Sequence, residues 1–375
     1  MNDYGTEINT PAFIIDEHLI SDNLSRILEL ISGTDCRLLY SIKALPLQSV
    51  LEVIRPFISG FSVSSLNEAT LAAAVLRQGS IHLTTPGLRD YECAALDACC
   101  SHISFNSLSQ FARLSGQLPT VSKGLRINPR LSFAKDERFD PCRQHSKLGV
   151  DMELIEQYGL PEAIEGLHFH SVFSCKTVDA LTRTVEKIRP LLSKYRKQLK
   201  WLNLGGGYLY SEIDRPEIFK QTVQSLADDF NLQVFIEPGK AVVDSAAFLL
   251  TRVLDCFDSE GKTVVILDTS VNHHPEVFEY QKSPRLENLA AGDKSVILAG
   301  SSCLAGDLFG EYRLKQVPEV GDTIIFSHVG AYSLIKANRF NGYNLPDIYQ
   351  LNGKQLMHIK SDNNHYQQQW MTGNC

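Results

Sequence analysis

The sequence has no excess of positive charge and no cysteine pair with Cys-x-x-Cys spacing. Its 36 Lys+Arg residues are outnumbered by 43 Asp+Glu residues, which gives a formal net charge of −7 at pH 7. This balance disfavours a nucleic-acid-binding protein that relies on a broad basic surface. Because the nine cysteines are odd in number and lack metal-ligand spacing, neither a disulfide framework nor a structural zinc site is predicted.

Long apolar runs are also lacking. No run approaches the roughly 20 residues that a helix needs to span a bilayer. The first residues, Met1-Asn2-Asp3-Tyr4, lack the basic and then apolar pattern of a secretory signal. We therefore expect a cytoplasmic protein with no membrane and no nucleic-acid partner.

Apolar residues are present in sufficient number for a large core. Of the 375 residues, 43% are hydrophobic and 21% are charged, which argues against wholesale disorder. The length predicts two to three domains.

A short apolar run followed by a helical pattern recurs along most of the chain. A strand at Ala12–Ile15 and a helix at Glu17–Ile31 come first. Further strands are predicted at Leu38–Ile42, Gly60–Ser64, Ile81–Thr84, His102–Phe105, Gly124–Asn128, Gly166–His170, Trp201–Leu204 and Gln233–Ile236. Helices are predicted between them at Leu47–Phe57, Leu66–Arg77, Asp179–Lys197 and Glu217–Phe230. This alternation indicates parallel pairing, and the span of about 210 residues fits a (β/α)8 barrel of the TIM type. An open doubly wound sheet is the alternative.

The pattern changes beyond about Asp244. Strand-like segments with few helices between them are Ala247–Phe257, Thr263–Asp268, Ser295–Ala299, Thr323–His328 and Gln355–Ile359. We expect residues 17–244 to form the barrel, and residues 1–16 with 245–375 to form a mostly antiparallel β domain. The polar tail, 361–375, is predicted to be a strand end or disordered.

In a (β/α)8 barrel, chemistry lies at the C-terminal ends of the strands. Lys43 directly follows the first predicted barrel strand. An amine in the barrel mouth is partly desolvated, which lowers its pKa and frees it to form a Schiff base. A surface lysine is the alternative, although lysine seldom closes an apolar strand.

Two further segments follow the seventh and eighth predicted strands. The triplet Gly205-Gly206-Gly207 can turn its N–H groups toward an anion, and this is where the fold usually binds phosphate. The segment Glu237-Pro238-Gly239-Lys240 would place a carboxylate in the mouth and a lysine near the phosphate. The alternatives are a tight turn for the triplet, and a helix cap and a solvated charge for Glu237 and Lys240.

Other polar side chains end the sixth and second strands. His168 and His170 are two residues apart and so lie on one face of the strand. No carboxylate follows at a familiar zinc spacing, so we expect no metal and favour stacking or hydrogen bonding by one of them. Ser65 fits a helix N-cap with Glu68 at the third helical position; Glu68 could also face the mouth.

A lysine amine, a glycine anion site and a glutamate at one mouth are the parts that hold pyridoxal 5′-phosphate (PLP). The lysine would bind the aldehyde and the glycines the phosphate. An anionic Glu237 would keep the pyridine nitrogen protonated, so that the ring accepts electrons.

These motifs make the chain resemble the barrel-fold PLP decarboxylases related to alanine racemase, ornithine decarboxylase and diaminopimelate decarboxylase, and among them those that act on carboxynorspermidine. The resemblance runs from Thr10 to about Tyr349. In the barrel it rests on Ile42-Lys43-Ala44, Ser64-Ser65-Leu66-Asn67-Glu68-Ala69, Gly166-Leu167-His168-Phe169-His170, Leu204-Gly205-Gly206-Gly207-Tyr208 and Glu237-Pro238-Gly239-Lys240. In the β domain it rests on Asp268-Thr269-Ser270, His274-Pro275-Glu276, Cys303-Leu304-Ala305-Gly306-Asp307, Gly330-Ala331-Tyr332 and Phe340-Asn341-Gly342.

The resemblance implies a role for each matched position. Lys43 would be the Schiff-base lysine, His170 the residue stacked on the cofactor ring, and Glu237 the partner of the pyridinium. The other implied cofactor contacts are Gly205, Gly206, Gly207, Gly239, Lys240 and Tyr332.

A second group is implied for the substrate. Cys303, as the proton donor, and Asp307, as a contact to the substrate amine, would come from the other subunit of a homodimer with shared active sites. Glu68 and His274 complete the implied substrate-binding set. Taken without the resemblance, Cys303 would be read as a buried thiol and Asp307 as a turn residue.

The implied reaction removes the α-carboxylate of carboxynorspermidine or carboxyspermidine and gives norspermidine or spermidine, a step in polyamine biosynthesis. The alternatives are a PLP decarboxylase for another amino carboxylate (a basic amino acid, diaminopimelate or a siderophore precursor) and a non-catalytic homologue. Lys240 stands where the ornithine decarboxylase type has arginine. A lysine still supplies positive charge to the phosphate but cannot form the bidentate hydrogen bonds of a guanidinium group. Alanine racemase activity is disfavoured, because that type uses a tyrosine acid/base where this chain offers Cys303.

Overall fold

The structure, a computed structural model, describes residues 8–362 and 365–371. The chain divides into two compact units. The barrel unit is Ser21–Val242, and the sheet unit is Met1–Ile20 with Val243–Cys375. The predicted boundaries at 16/17 and 244/245 stay a prediction.

The strands of the described chain are, in order, β1 (Ala12–Asp16), β2 (Cys36–Ser41), β3 (Gly60–Val63), β4 (Ser80–Thr84), β5 (His102–Phe105), β6 (Ser122–Asn128), β7 (Val150–Asp151), β8 (Gly166–His168), β9 (Trp201–Asn203), β10 (Gln233–Ile236), β11 (Ala247–Ser259), β12 (Lys262–Leu267), β13 (Arg285–Leu286), β14 (Ala291–Ala299), β15 (Leu308–Leu314), β16 (Thr323–Ser327), β17 (Asp347–Asn352) and β18 (Gln355–Lys360). The α-helices are α1 (Glu17–Leu30), α2 (Gln48–Ile54), α3 (Leu66–Val75), α4 (Cys93–Cys99), α5 (Leu108–Leu114), α6 (Met152–Tyr158), α7 (Asp179–Lys194), α8 (Pro216–Phe230), α9 (Lys240–Val243), α10 (Glu276–Tyr280), α11 (Ser333–Lys336) and α12 (His365–Trp370).

The barrel unit is a closed parallel barrel. Within the described residues its strands follow the order β5-β4-β3-β2-β10-β9-β8-β6, and β5 also pairs with β6, so eight strands form a ring. Closure confirms the predicted (β/α)8 barrel and rules out the open doubly wound sheet. The helices cover the outside with apolar stripes; in α7, for example, Leu181, Val185, Ile188 and Leu192 recur at helical spacing and are buried.

The inside of the barrel is polar toward its C-terminal end. Below, Trp201, Phe235 and Leu39 form an apolar cluster, and the rings of His82 and His102 stack there at 4.0 Å. Toward the C-terminal ends of the strands, seven positions are polar and buried: Ser41, Ser62, Ser104, Arg126, His168, Asn203 and Glu237. Because side chains alternate along a strand, polar residues two positions beyond the apolar cluster face the same interior near the barrel mouth.

Several predicted strands end earlier than expected. β2, β8 and β9 stop at Ser41, His168 and Asn203, where the chain turns away from the ladder. Lys43 consequently lies in a 3₁₀ turn, Ile42–Ala44, rather than on the strand itself. The turn still starts at the C-terminal end of β2, so the lysine remains at the mouth.

The sheet unit contains a sheet of order β15-β14-β12-β11-β1-β17-β18, with β16 paired to β11 and β13 to β16. Most pairs are antiparallel; β1 with β17 and β12 with β14 are parallel. A mostly antiparallel domain is therefore confirmed, although β13, β15 and β17 were not predicted. In the tail, α12 is helical, while residues 363–364 and 372–375, like Met1–Tyr4, lie outside the described residues.

None of the helices in the described ranges is long and apolar enough to cross a membrane. In the same ranges, no group of three or more His, Cys, Asp or Glu side chains is arranged to hold a metal ion.

Candidate active site

Adjacent strands bring the predicted cofactor-binding residues of the barrel unit to one side of the mouth. Lys43 follows β2, Glu237 follows β10, the glycine loop (Gly205–Gly207) follows β9 and His170 lies just beyond β8. These strands are consecutive neighbours in the order β2-β10-β9-β8. Lys43 and Glu237, which are almost 200 residues apart in the sequence, thus follow neighbouring strands, because β10 pairs with β2 when the barrel closes.

Lys43 is half-buried and surrounded by charge of both signs. Burial lowers the pKa of its amine, and Arg126 lowers it further, while Glu237 and Glu68 oppose the shift. The net pKa lies below that of a free lysine, so a larger fraction of the amine is neutral and nucleophilic at neutral pH.

Glu237 is 5% exposed, and its carboxylate has a hydrogen bond on one oxygen and a longer contact on the other. Asn203 Nδ2 donates to Oε1 at 2.8 Å, and His168 Nε2 lies 3.5 Å from Oε2. Burial alone would raise the pKa of this carboxyl, but the interactions with His168 and the positive charge of Lys43 outweigh it and the net pKa is lowered. Glu237 is therefore an anion throughout the physiological pH range.

The glycine loop has no room for side chains. A Cβ at Gly205, Gly206 or Gly207 would lie 2.1–2.3 Å from a backbone carbonyl oxygen. Gly205 and Gly207 also have φ of +68° and +89°, which favour glycine. Tyr210 donates its hydroxyl to Gly205 O at 3.3 Å, which helps to hold the loop in place.

Two of the loop's N–H groups already donate within the protein. Gly205 N–H donates to Asn203 Oδ1 at 2.9 Å, and Gly206 N–H donates to His170 Nδ1 at 3.2 Å. His170 is thus an acceptor at Nδ1, which fits a neutral imidazole with its proton on Nε2. Burial, Lys43 and Arg126 hold its pKa well below the usual value.

Glu68 has the predicted position in the N-terminal cap of α3, while its role at the barrel mouth stays a prediction. Ser65 Oγ accepts from Glu68 N–H at 3.2 Å as the N-cap of α3, and the Glu68 carboxylate accepts from Ser64 N–H at 2.7 Å. It also lies close enough to Lys43 for each to shift the other's pKa, although burial is the larger effect and raises the pKa of Glu68.

Sequence reasoning missed Arg126 and Asn203. Both lie on inward positions of barrel strands and are at most 9% exposed. Arg126 is close enough to Glu237 to interact electrostatically, and burial lowers its pKa to about 10. The available signal was an arginine at a period-two position inside a predicted core strand, where a charged side chain is rare unless paired.

The remaining predicted residues lie in the sheet unit. His274 is buried, and its Nδ1 lies 2.7 Å from Ser333 Oγ. Tyr332 precedes that serine with φ of +65°. Cys303 is exposed, and its N–H donates to Asn341 Oδ1 at 3.1 Å. The alternative of a buried thiol is therefore wrong for Cys303.

Asp307 joins two segments of the sheet unit. It is 2% exposed, and its carboxylate accepts from Val271 N–H at 2.8 Å, from Ser302 N–H at 3.1 Å and from the Ser302 hydroxyl. These bonds use both oxygens, so the carboxylate stabilises the turn that contains it. The contact of Asp307 with a substrate amine stays a prediction.

The residues of the barrel unit fit PLP. Their glycine loop is a cradle that any Cβ would fill, beside an amine of lowered pKa and a buried carboxylate anion. Phosphate, aldehyde and pyridine nitrogen each need one of these three groups. Lys43, the glycine loop and Glu237 are the residues that would hold the cofactor.

Comparison with known proteins gives the same result. The family model "Pyridoxal-dependent decarboxylase, pyridoxal binding domain" matches residues 18–244, and the model of the C-terminal sheet domain of these decarboxylases matches residues 174–330.

Similar individual proteins span almost the whole chain. The carboxynorspermidine/carboxyspermidine decarboxylase of Campylobacter jejuni is 29% identical over 94% of this chain and 96% of its own length. The carboxyaminopropylagmatine decarboxylase of Synechocystis is 32% identical over 92% of this chain and 90% of its own length. A crystal structure of the carboxynorspermidine decarboxylase from Campylobacter jejuni, complexed with norspermidine, is 27% identical and superposes with a TM-score of 0.87 over 96% of this chain and 99% of that one.

Proposed function

The chain belongs to the pyridoxal-dependent decarboxylases, and we propose that it removes the α-carboxylate of a carboxylated polyamine. The similar proteins named above act on carboxynorspermidine, carboxyspermidine or carboxyaminopropylagmatine, which share an α-amino acid head and an extended amine chain. We propose carboxynorspermidine and carboxyspermidine as substrates, with norspermidine and spermidine as products. The enzyme would act in the cytoplasm.

Lys43 is proposed to hold the cofactor and to give way to the substrate amine. When bound, PLP supplies an aldehyde for that amine and a ring that accepts the electron pair left at Cα when CO₂ departs. Burial at the mouth lowers the pKa of Lys43, which makes its amine available as a nucleophile. The observation that carries the proposal is this amine beside a buried, anionic Glu237 on the neighbouring strand.

Glu237 and His170 are proposed to set the state of the ring. A carboxylate whose pKa is lowered keeps a proton on the nitrogen opposite it, and this favours loss of CO₂. His170 accepts from Gly206 N–H, which fixes the orientation of the imidazole for stacking. The phosphate would be held by the glycine loop, Gly239, Lys240 and Tyr332.

Cys303 is proposed to deliver the proton that replaces the carboxylate at Cα. Its exposure fits a thiol that completes the site of a second subunit in a homodimer. Exposed apolar side chains support an interface here: Leu304 follows it directly, and Phe278 lies next to Gly306 of the same turn.

Glu68, His274 and Asp307 are proposed to contact the substrate. Glu68 lies near enough to Lys43 for each to shift the other's pKa, so its carboxylate is within reach of the mouth. His274 and Asp307 are buried polar residues of the sheet unit. The two carboxylates would pair with amines of the polyamine chain.

Release of CO₂ from a substrate panel tests the function. The panel contains carboxynorspermidine, carboxyspermidine, carboxyaminopropylagmatine, ornithine, lysine and diaminopimelate. We expect the highest kcat/KM for the first two. Preference for ornithine, lysine or diaminopimelate would overturn the polyamine assignment, and no release from any of them, by protein that carries PLP, would overturn the activity.

A further inference from the structure

The amide of Asn203 joins the glycine loop to Glu237. Asn203 is the last residue of β9 and is 1% exposed. Its Oδ1 accepts from Gly205 N–H at 2.9 Å, and its Nδ2 donates to Glu237 Oε1 at 2.8 Å. One side chain therefore contacts both ends of the proposed cofactor site.

The chemistry of these partners defines which residue type can stand here. A backbone N–H only donates and an ionised carboxylate only accepts, so the side chain must accept on one side and donate on the other. An amide does both. Aspartate would keep the bond to Gly205 but would place a second carboxylate against Glu237, and two such groups in a buried site share one proton.

We propose that Asn203 is a positioning residue that keeps Glu237 ionised and fixed relative to the glycine loop. This rests on the proposed roles of Glu237 and of the loop. A backbone bond from Glu237 N–H to Gly205 O, at 2.8 Å, also connects the two segments. The segments thus stay attached without Asn203, and the amide controls the charge and direction of the carboxylate.

Charged and polar groups from several elements face Glu237. They are Asn203 on the adjacent strand β9, His168 on β8, Arg126 on β6, His82 on β4, Lys43 and His170 at the mouth, and Tyr210 in the segment after β9. Among these, Asn203 donates the one bond of 2.8 Å to a carboxylate oxygen, whereas His168 lies at 3.5 Å. Replacing the Asn203 donor is therefore expected to change Glu237 directly.

Asn203→Asp and Glu237→Gln test this pair in a double-mutant cycle on the cofactor-free protein. Each single variant is expected to have a lower urea midpoint than the wild type, and the loss in Asn203→Asp should grow as pH rises from about 5 to 8, because the shared proton is then removed. In the double variant the amide and carboxylate have exchanged places, so most of the loss should be recovered.

Asn106→Asp is the matched control. Asn106 Oδ1 also accepts from a glycine N–H, that of Gly149. Its Nδ2 donates at 2.8 Å to the backbone carbonyl oxygen of Lys147, which carries no formal charge, instead of to a carboxylate. Its substitution should be additive with Glu237→Gln. Additive losses in the Asn203→Asp cycle as well would overturn the proposal.

The holoenzyme gives a second readout. In Asn203→Asp we expect kcat to fall at least about tenfold and the affinity for PLP to change little. The pH optimum should move toward acid, because the introduced carboxyl can again donate a hydrogen bond to Glu237 once it is protonated. Wild-type kcat and pH profile would overturn the proposal. If Asn203→Asp does not fold, a double variant that does fold supports the pairing. A double variant that also fails to fold overturns it. Because the cycle needs no substrate, its result is independent of the proposed function.

Discussion

At the scale of single residues, the site depends on two charges that burial affects in opposite ways. Burial lowers the pKa of Lys43, whereas neighbouring groups outweigh burial at Glu237 and lower its pKa as well. The result is an amine with a larger neutral fraction than a lysine in water, beside a buried carboxylate that stays ionised at neutral pH.

Lys43→Ala should remove cofactor attachment and lower kcat by at least about a thousandfold, as is usual for loss of a covalent catalytic group. Absorbance of the PLP chromophore and CO₂ release measure the two effects. Lys176→Ala, which removes an exposed lysine paired with Glu212, is the control and should retain both. Wild-type absorbance in Lys43→Ala would contradict the assignment.

Glu237→Gln should lower the free energy of unfolding at pH 7 by roughly 1–3 kcal/mol, the range for hydrogen bonds to charged groups. The folded pKa of Glu237 is below its unfolded value near 4.3, so its stabilisation is present above that pH and is lost as pH falls toward the folded pKa. Urea unfolding of wild type and variant from pH 7 to 3 should therefore show a difference that shrinks below about pH 4. A constant difference would show that the carboxylate charge is irrelevant.

At the scale of elements, the ends of barrel strands position the chemistry. The glycine loop lies close to carbonyl oxygens of the segments after β8 and β10, so its shape is determined by neighbouring strands as well as by its own residues. The helix after β3 is fixed in a different way, through the cap at Ser65.

Gly206→Ala should weaken PLP binding at least about tenfold and destabilise the protein by roughly 1–3 kcal/mol, because its Cβ would lie 2.3 Å from Glu237 O. PLP titration and thermal unfolding measure these effects. Gly116→Ala, where no atom lies within 4 Å of the new Cβ, should leave both nearly unchanged. Equal behaviour of the two variants would contradict a steric role for the loop.

Ser65→Ala should cost about 1 kcal/mol in unfolding free energy, since Glu68 N–H loses its side-chain acceptor. Ser107→Ala at the N-cap of α5, which accepts from Gln110 N–H at 3.0 Å, is the matched comparison. Because Glu68 also interacts with Lys43, we expect the Ser65 variant alone to change the KM for substrate. Equal KM values in both variants would assign Glu68 to the cap alone.

At the scale of the whole molecule, the proposed homodimer makes each active site depend on two chains. Lys43→Ala and Cys303→Ala should each be nearly inactive. Mixing and reassociating them should restore up to about a quarter of wild-type activity, because half of the dimers then contain one intact site. No recovery in reassociated mixtures would place Lys43 and Cys303 of the same chain together.

Most of the fold could be predicted because local patterns determine it. Alternating apolar runs and helical patterns indicated the barrel, and the residues that end the strands indicated Lys43, Glu237 and the glycine loop. Arg126 and Asn203 were missed because each lies within a short core strand, where sequence alone does not tell which face points inward.

The same limit applies to Asp307. The family resemblance implied a contact to substrate, and nothing in the local sequence pointed to its bond with Val271, which is 36 residues away. Such bonds between distant segments are visible only once the chain has folded.

The sequence by itself determined the order of strands and helices and the residue types at their ends, since these depend on local periodicity and turn chemistry. Only the tertiary structure decided that β10 closes on β2 and that Asn203 contacts Glu237. Burial, pKa and hydrogen bonding are properties of groups brought together across the chain, and neighbours along the sequence do not define them.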